Sequence, residues 1–263
     1  MCRWVAYRGR PVYLETWLTA PCQSLVAQSR HCREAKSEIN ADGFGVGWYG
    51  GRETPGIFRD IRPAWSDENL LSLAGQIRSG LFLAHVRAST GTPATRANCH
   101  PFNDGRFLFM HNGQIGGYER LRRRIDMALP EERYLARAGQ TDSETLFQLM
   151  LAEGVDDPLA AASRALGFVE EVMREAGEGE ALRFTAAFSD GQALHAIRYA
   201  SDECPPTLYV REAGQGDVLL VSEPLDAERS GWRAVPPQSS VTVDDRGISV
   251  RPFAVARRGR RAA

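Results

Sequence analysis

The stretch ADGFGVGWYGG at residues 41–51 is the feature that most restricts how this chain can fold. It reads as a strand entered through a tight turn, and Gly43, Gly45 and Gly47 stand at every second position. Side chains in a strand alternate between two faces, so these glycines leave one face of the strand bare. A bare face implies that another segment of the chain approaches this backbone closely.

Strand-like patterns stand at both ends of the chain, and helical patterns fill most of its middle. Strands are predicted near residues 2–9, 80–89 and 106–113, and again in several short runs after residue 183. Helices are predicted within 65–80, 118–129, 141–154 and 157–177, whereas residues 24–32 are ambiguous. Thr141 with Glu144 forms a predicted capping box, and Asp157 before Pro158 is a predicted cap. This order favours an α+β domain over alternating βαβ units.

Composition excludes several classes of function. The formal net charge of the 263 residues is −1, so no overall field attracts nucleic acid or an anionic membrane. No apolar run is long enough to span a membrane, and Arg3, Arg8 and Arg10 interrupt any signal-peptide core. The five cysteines are scattered and lack CxxC spacing, which favours a reducing cytoplasm over a disulfide framework.

Cys2 directly follows the initiator methionine, and two interpretations of it are open. It is either a small apolar residue in a first strand, as most free cysteines are, or a nucleophile. A thiol needs a base to become a thiolate, and a free α-amine has a pKa of about 8, which suits that task. If Met1 is removed, Cys2 carries the nucleophile and the base on one residue.

Three other clusters carry side chains that suit the chemistry of an amino acid substrate. Asn112 and Gly113, at the end of an apolar strand, offer an amide and an unencumbered N–H as oxyanion donors. Arg87, at the end of another strand, can hold a carboxylate bidentately, and Asp142, at a helix start, can accept from an ammonium group.

Each of these residues also has a structural interpretation. Asn112-Gly113 matches a type I′ hairpin turn, and Arg87 suits an ion pair on a sheet. Asp142 suits the electrostatics of a helix start. Cys99, His100 and His111 raise the possibility of a metal site, but their spacing fits no common zinc pattern, and structural histidines are favoured.

The motifs occur in the order found in class II glutamine amidotransferases, the N-terminal-nucleophile type, and the chain resembles that family. The matching elements are Cys2, His85-Val86-Arg87, His111-Asn112-Gly113 and Thr141-Asp142-Ser143-Glu144, with Asn98-Cys99-His100-Pro101 between the second and the third. The segments MCR, NADGFGVGWY, HVRAST, NCHPF, HNG and SEPLD resemble the small stand-alone members, among them the glutathione-degradosome subunit and the ergothioneine-pathway γ-glutamyl hydrolase. The large amidotransferases have Trp and His where this chain has Ala88 and Gly91.

The resemblance implies a four-layer αββα sandwich across nearly the whole chain, assigned to residues 1–255, and the arginine-rich end of the sequence predicts a disordered basic tail at 256–263. It implies hydrolysis of a γ-glutamyl amide, either glutamine or a γ-glutamyl conjugate, through a thioester on Cys2, with release of glutamate. In that interpretation Asn112 and Gly113 stabilise the oxyanion, and the substrate-binding residues are Arg87, Thr90 and Asp142. No metal or organic cofactor is required.

Two alternatives remain open at this stage. One is a glutaminase subunit that supplies ammonia to a separate synthetase. The other is a non-catalytic module that keeps the fold for binding or assembly. The partners expected are a small γ-glutamyl substrate and, in addition, a synthetase or peptidase protein.

Overall fold

The computed structural model describes residues 2–34, 39–89, 91–227 and 231–256. One antiparallel sheet has the strand order β11-β9-β10-β1-β4-β2-β3, so strands from both ends of the chain meet in it. Its members, in chain order, are β1 (Arg3–Tyr13), β2 (Phe44–Trp48), β3 (Gly56–Asp60), β4 (Arg78–Val86), β9 (Tyr209–Glu212), β10 (Val218–Val221) and β11 (Arg233–Ala234).

The second antiparallel sheet has the order β13-β12-β8-β7-β6-β5. It contains β5 (Phe102–Asp104), β6 (Phe107–Gln114), β7 (Arg183–Ser189), β8 (Leu194–Ala200), β12 (Ser239–Asp244) and β13 (Gly247–Pro252). The first two of the short strands predicted after residue 183 are β7 and β8, which form a hairpin in which Ser189 pairs with Leu194. The helices are α1 (Glu15–Leu18), α2 (Leu25–Arg30), α3 (Glu68–Ala74), α4 (Tyr118–Asp126), α5 (Glu131–Leu135), α6 (Asp142–Ala152) and α7 (Pro158–Glu175).

Three apolar clusters show how these elements are layered. Between the sheets, Trp4 and Leu83 of the first pack with Met110 of the second. The outer face of the first sheet packs against α1, α2 and α3, whereas the outer face of the second packs against α4, α6 and α7. The predicted αββα sandwich is confirmed.

The bare face of β2 is covered by the segment that precedes β5. A Cβ atom placed on Gly45 would lie 2.2 Å from the carbonyl oxygen of His100, and one on Gly47 would lie 2.9 Å from Pro101 and Leu108. At Gly43 the nearest atom would be Cys99 Sγ, at 2.6 Å. The close approach that the glycine spacing predicts is therefore made by residues 99–101 and by β6.

Helix starts follow the predicted caps, with one correction. The side chains of the predicted caps Thr141 and Asp157 each accept a backbone N–H in the first turn of α6 and α7, and Asp67 does the same for α3. Glu144, however, does not return to the N–H of Thr141; its carboxylate accepts from the N–H groups of Ala138 and Gly139, at 2.8 and 2.9 Å. The capping box is thus half formed, because the glutamate holds the preceding loop instead.

Two further features concern the surface and the chain end. No helix in the described part of the chain has the length and apolar character needed to cross a membrane. Of the basic tail expected at 256–263, only Ala256 is described, and its N–H donates to Ser163 O of α7 at 3.1 Å. Residues 257–263 lie outside the described residues.

Replacement of Gly45 by alanine is expected to lower the free energy of unfolding by about 3 kcal/mol, because the new methyl group meets a backbone carbonyl that cannot move aside. Gly50→Ala is the matched control, since no atom lies within 4 Å of its Cβ position, and it should change stability by about 0.5 kcal/mol or less. Urea unfolding of the two variants checks this, and equal stability would contradict the packing described here.

Candidate active site

Cys2 stands at the start of β1, near the middle of the first sheet. β1 and β4 are antiparallel, with Arg3 opposite Val86, so the residues after β4 come next to Cys2. The Cys2 thiol lies 3.3 Å from the N–H of Ala88, which donates to it, and 3.5 Å from the carbonyl oxygen of Ala88. The nucleophile candidate is half-buried against this backbone.

Burial raises the pKa of the Cys2 thiol above its ordinary value. The hydrogen bond from the Ala88 N–H and the charge of Arg87 act in the opposite direction but do not cancel the effect of burial. Among the described residues, the hydrogen bonds of Cys2 Sγ are made with the backbone of Ala88, and no side-chain base donates to or accepts from it. A thiol in this setting needs a base from elsewhere to react at neutral pH.

Arg87 is buried, and its guanidinium group is held by the loop that follows β4. Nη2 donates to Thr92 Oγ1 at 2.6 Å and to Ser89 Oγ at 3.2 Å, and Nη1 donates to the carbonyl oxygen of Asp42 at 3.3 Å. The Asp42 carboxylate accepts from the N–H of Ser89 at 2.7 Å, which ties the loop to the start of β2. Thr90, predicted to bind substrate with Arg87, lies outside the described residues.

Asn112 and Gly113 are the last-but-two and last-but-one residues of β6, where they pair with Thr185 and Phe184 of β7. The hairpin-turn interpretation of Asn-Gly is therefore wrong. Asn112 Nδ2 donates to the carbonyl oxygen of Cys2 at 2.8 Å, so its amide group bridges the two sheets. Gly113 has φ +150°, and a Cβ there would lie 1.9 Å from Arg183 O, which only glycine avoids.

Asp142 is the first residue of α6 and is half-buried. Its Oδ1 accepts from the N–H of Ser143 at 2.7 Å, and its Oδ2 accepts from the N–H of Ile115 at 2.9 Å. Ile115 follows Gly113 by two residues, so the carboxylate is fixed to the same strand end that carries the predicted oxyanion donors. The carboxylate also lies at the positive end of the α6 dipole.

A pocket of about 330 Å³ joins these strand ends and the start of α6. Its lining includes Arg87, Ala88, Gly113 and Asp142; Cys2 is not itself a lining residue, but its thiol accepts from the N–H of Ala88, which is. A larger cavity, of about 690 Å³, lies along α7 and residues 178–181, and none of the predicted site residues lines it. The pocket thus presents a buried guanidinium and a carboxylate beside a thiol, and three further charged residues, Glu119, Arg120 and Glu180, also line it.

Three buried histidines surround this end of the sandwich, and burial lowers the pKa of each. The pKa of His85 falls to about 3, and those of His100 and His111 are also below the ordinary value. The rings of His85 and His100 lie 4.4 Å apart, and His111 Nε2 is 3.2 Å from the carbonyl oxygen of Arg183. Within the described residues, no group of three acidic, histidine or cysteine side chains could hold a metal ion.

The sequence interpretation missed several polar residues around the site. Thr92 and Ser89 hold the Arg87 guanidinium, Asn98 accepts from the N–H of Gln140 at 2.9 Å, and Ser143 contacts His111. Ser89, Asn98 and Ser143 lie inside the motifs that carry the resemblance, so their position in the sequence indicates that they lie near the site. Thr92 stands outside those motifs, and its contact with Arg87 arises from the path of the loop.

Comparison with known proteins gives one matching family. The family described as "Glutamine amidotransferases class-II" matches residues 15–241, a range that includes Arg87, Asn112, Gly113 and Asp142 and leaves out Cys2.

Individual proteins match along nearly the whole chain. The probable glutamine amidotransferase DUG3 of Saccharomyces cerevisiae is 31% identical, over 96% of this chain and 84% of its own length. The gamma-glutamyl-hercynylcysteine sulfoxide hydrolase of Mycolicibacterium smegmatis is also 31% identical, over 96% of this chain and 100% of its own length. A solved glutamine aminotransferase class-II domain protein from Silicibacter pomeroyi is 40% identical and superposes with a TM-score of 0.77, covering 97% of this chain and 100% of that one.

Acidification is expected to lower the free energy of unfolding, because each histidine that burial keeps neutral takes up a proton only when the chain unfolds. The unfolded chain binds a proton at each of them near pH 6.5, whereas folded His85 does so only at about pH 3, so stability is lost as pH falls below 6.5. His85→Gln removes one such site and should reduce the loss by about 1 kcal/mol per pH unit between pH 6 and 5.

Urea unfolding at a series of pH values measures this slope. The two proteins should show parallel curves between pH 7.5 and 8.5, where imidazoles are neutral in both states. A wild-type slope between pH 6 and 5 equal to that of the variant would show that folded His85 is protonated in this range.

Proposed function

The chain belongs to the class II glutamine amidotransferases, and from that membership we propose that it hydrolyses a γ-glutamyl amide through a thioester on Cys2. The observation that carries the proposal is the convergence of three distant segments on one pocket of about 330 Å³, beside the thiol of Cys2. They supply a thiol contact, a buried guanidinium, a strand end with a glycine N–H and a carboxylate at a helix start.

Recognition of the glutamyl part follows from charge. Buried Arg87 holds the α-carboxylate, with Thr90 as a further donor, and Asp142 holds the α-ammonium group. The Asp142 carboxylate already accepts one backbone N–H on each oxygen, and each oxygen keeps a further lone pair for the ammonium group. Binding at both ends fixes the side-chain carbonyl of the substrate relative to Cys2.

The bond-making steps start at the thiol. Removal of Met1 gives Cys2 a free α-amine, which takes the thiol proton while sulfur attacks the γ-carbonyl carbon. Asn112 Nδ2 and the Gly113 N–H stabilise the oxyanion. The amine returns the proton to the leaving nitrogen, the C–N bond breaks, and ammonia or an amine departs. Water then attacks the thioester, and glutamate and the thiol are regenerated.

The electrostatics of the pocket support an α-amine as the base. Burial raises the pKa of the Cys2 thiol, so deprotonation needs a partner within contact distance. The nearby histidines have lowered pKa values and are poor proton acceptors for this purpose. The α-amine of the same residue needs no further side chain.

The names of the relatives indicate two possible fates for the nitrogen that leaves the γ-carbonyl group. The name of the mycobacterial relative describes hydrolysis of a γ-glutamyl conjugate, and that of the yeast relative describes amidotransfer. We favour the free-standing γ-glutamyl hydrolase. The second candidate, supply of ammonia to a separate synthetase, predicts that glutamine turnover rises when that partner is added.

Two wider proposals accompany this function. We propose that residues 1–255 form one domain, which is supported by the pairing of β1 with β10 across most of the chain and by the packing of both sheets on one apolar layer. We also propose a cytoplasmic location, which is supported by five free cysteines without a disulfide framework.

Cys2→Ala is expected to abolish hydrolysis of L-glutamine and of γ-glutamyl peptides, with a loss of at least about 1,000-fold in kcat, because the thioester cannot form. Mass spectrometry of the native N-terminus should find Met1 absent. Cys22→Ala is the matched control, since Cys22 is exposed and lines none of the pocket, and it should keep full activity. Retained Met1 in active protein, or wild-type rates in Cys2→Ala, would refute the mechanism.

Asp142→Asn is expected to raise KM for L-γ-glutamyl substrates by about tenfold or more with a smaller change in kcat, because a neutral amide no longer pairs with the ammonium group. Asp126→Asn on α4, which removes a carboxylate paired with Arg137 away from the pocket, is the control for loss of a charge. An unchanged KM in Asp142→Asn would remove this residue from substrate recognition.

A further inference from the structure

His111 and Ser143 form a buried contact at the wall of the pocket, which Ser143 lines. His111 Nδ1 lies 2.9 Å from Ser143 Oγ, and His111 Nε2 lies 3.2 Å from the carbonyl oxygen of Arg183. The imidazole ring also stacks on Phe184, with ring centroids 5.0 Å apart. Both residues are buried, so solvent does not compete for these bonds.

The partners of His111 decide where its hydrogen is. A carbonyl oxygen only accepts, so Nε2 must carry the hydrogen that it donates to Arg183 O. In the neutral ring Nδ1 is then an acceptor, and the Ser143 hydroxyl donates to it. Ser143 Oγ is also 3.3 Å from Asp142 Oδ1, but its single hydrogen cannot serve both atoms. Directed at His111, it leaves the carboxylate free to accept from a ligand.

This contact joins the two elements that carry the site. His111 immediately precedes Asn112 and Gly113 on β6, and Ser143 immediately follows Asp142 on α6. The bond from the Ile115 N–H to Asp142 Oδ2 is a second tie between the same two elements. The two ties therefore fix the separation between the end of β6 and the carboxylate.

We propose that Ser143 and His111 are positioning residues. They hold the Asp142 carboxylate in place and leave it a free lone pair that accepts from the substrate ammonium group. The inference rests on the proposed role of Asp142 in the reaction. Neither residue contacts the reacting atoms, and both act through the carboxylate. Loss of the hydroxyl should therefore affect substrates that carry an α-ammonium group and spare those that lack it.

A pair of chromogenic substrates tests this selectivity. L-γ-Glutamyl-p-nitroanilide carries the α-ammonium group, and the mono-p-nitroanilide of glutaric acid lacks it. Ser143→Ala should lower kcat/KM for the first by about fivefold, mainly through KM, and leave the second unchanged. Ser143→Thr keeps a hydroxyl and should restore most of the loss. Ser163→Ala on α7, whose hydroxyl bonds to Ala254 O, should change neither.

If Ser143→Ala disturbs folding in general, kcat/KM falls equally for both substrates, and that result overturns the proposal. Failure of Ser143→Thr to recover selectivity for the ammonium-bearing substrate also overturns it. Long-range ¹H–¹⁵N spectra of the wild-type imidazoles give a test that needs no variant. The Nε2–H tautomer of His111 is expected, and the Nδ1–H tautomer would overturn the proposal.

Binding separates this proposal from the proposed function. If wild-type protein cleaves neither anilide, the hydrolytic function fails for these substrates, whereas positioning is still decided by calorimetry on Cys2→Ala protein. In that background, Ser143→Ala should weaken the binding of L-glutamate by about fivefold relative to the binding of glutarate. Equal weakening of the two ligands, or no binding of either, counts against the positioning role.

Discussion

The close contact between the backbone of residues 99–101 and the bare face of β2 is the constraint on which the site depends. The carbonyl oxygen of His100 occupies the volume that a side chain at Gly45 would fill, and Pro101 and Leu108 do the same at Gly47. This contact places the start of the second sheet directly against the first sheet, at the end where Cys2 lies. The sheets are thus close enough there for Asn112 Nδ2 to reach the carbonyl oxygen of Cys2 at 2.8 Å.

The two sheets contribute different halves of the site. The first sheet supplies Cys2 and, one strand away, Arg87, so that nucleophile and guanidinium are related by antiparallel register. The second sheet supplies Asn112 and Gly113, and α6 supplies Asp142. Because the sheets pack through the apolar layer around Trp4 and Met110, that layer sets the distance between the halves. The geometry of the site therefore depends on how the core between the two sheets is packed.

Much of this arrangement could be predicted from local sequence signals. Period-two glycines, apolar strands and helix caps predict β2, β4, β6, α6 and α7, and the motifs predict which strand ends face one pocket. Other features depend on tertiary contacts that no local pattern encodes. β3 is a partly buried strand beside β2 without clear alternation, and Glu144 bonds the loop at 138–139 because that loop lies beside the helix start. Asn112-Gly113 matched a turn by dipeptide preference, yet pairing with β7 keeps it in a strand.

The residues that line the pocket come from two different kinds of structure. Arg87 and Asp142 lie at the end of a strand and at the start of a helix, positions fixed by the sandwich itself. The other rim of the pocket includes Gly117, Glu119 and Glu180, and Arg120 of that rim pairs with Glu178. These residues lie at the start of α4 and in the loop after α7, outside the two sheets. Loops accept substitutions more readily than a packed sandwich, so this second rim is the part of the pocket that can vary while the strand ends that carry Arg87 and Gly113 stay in place.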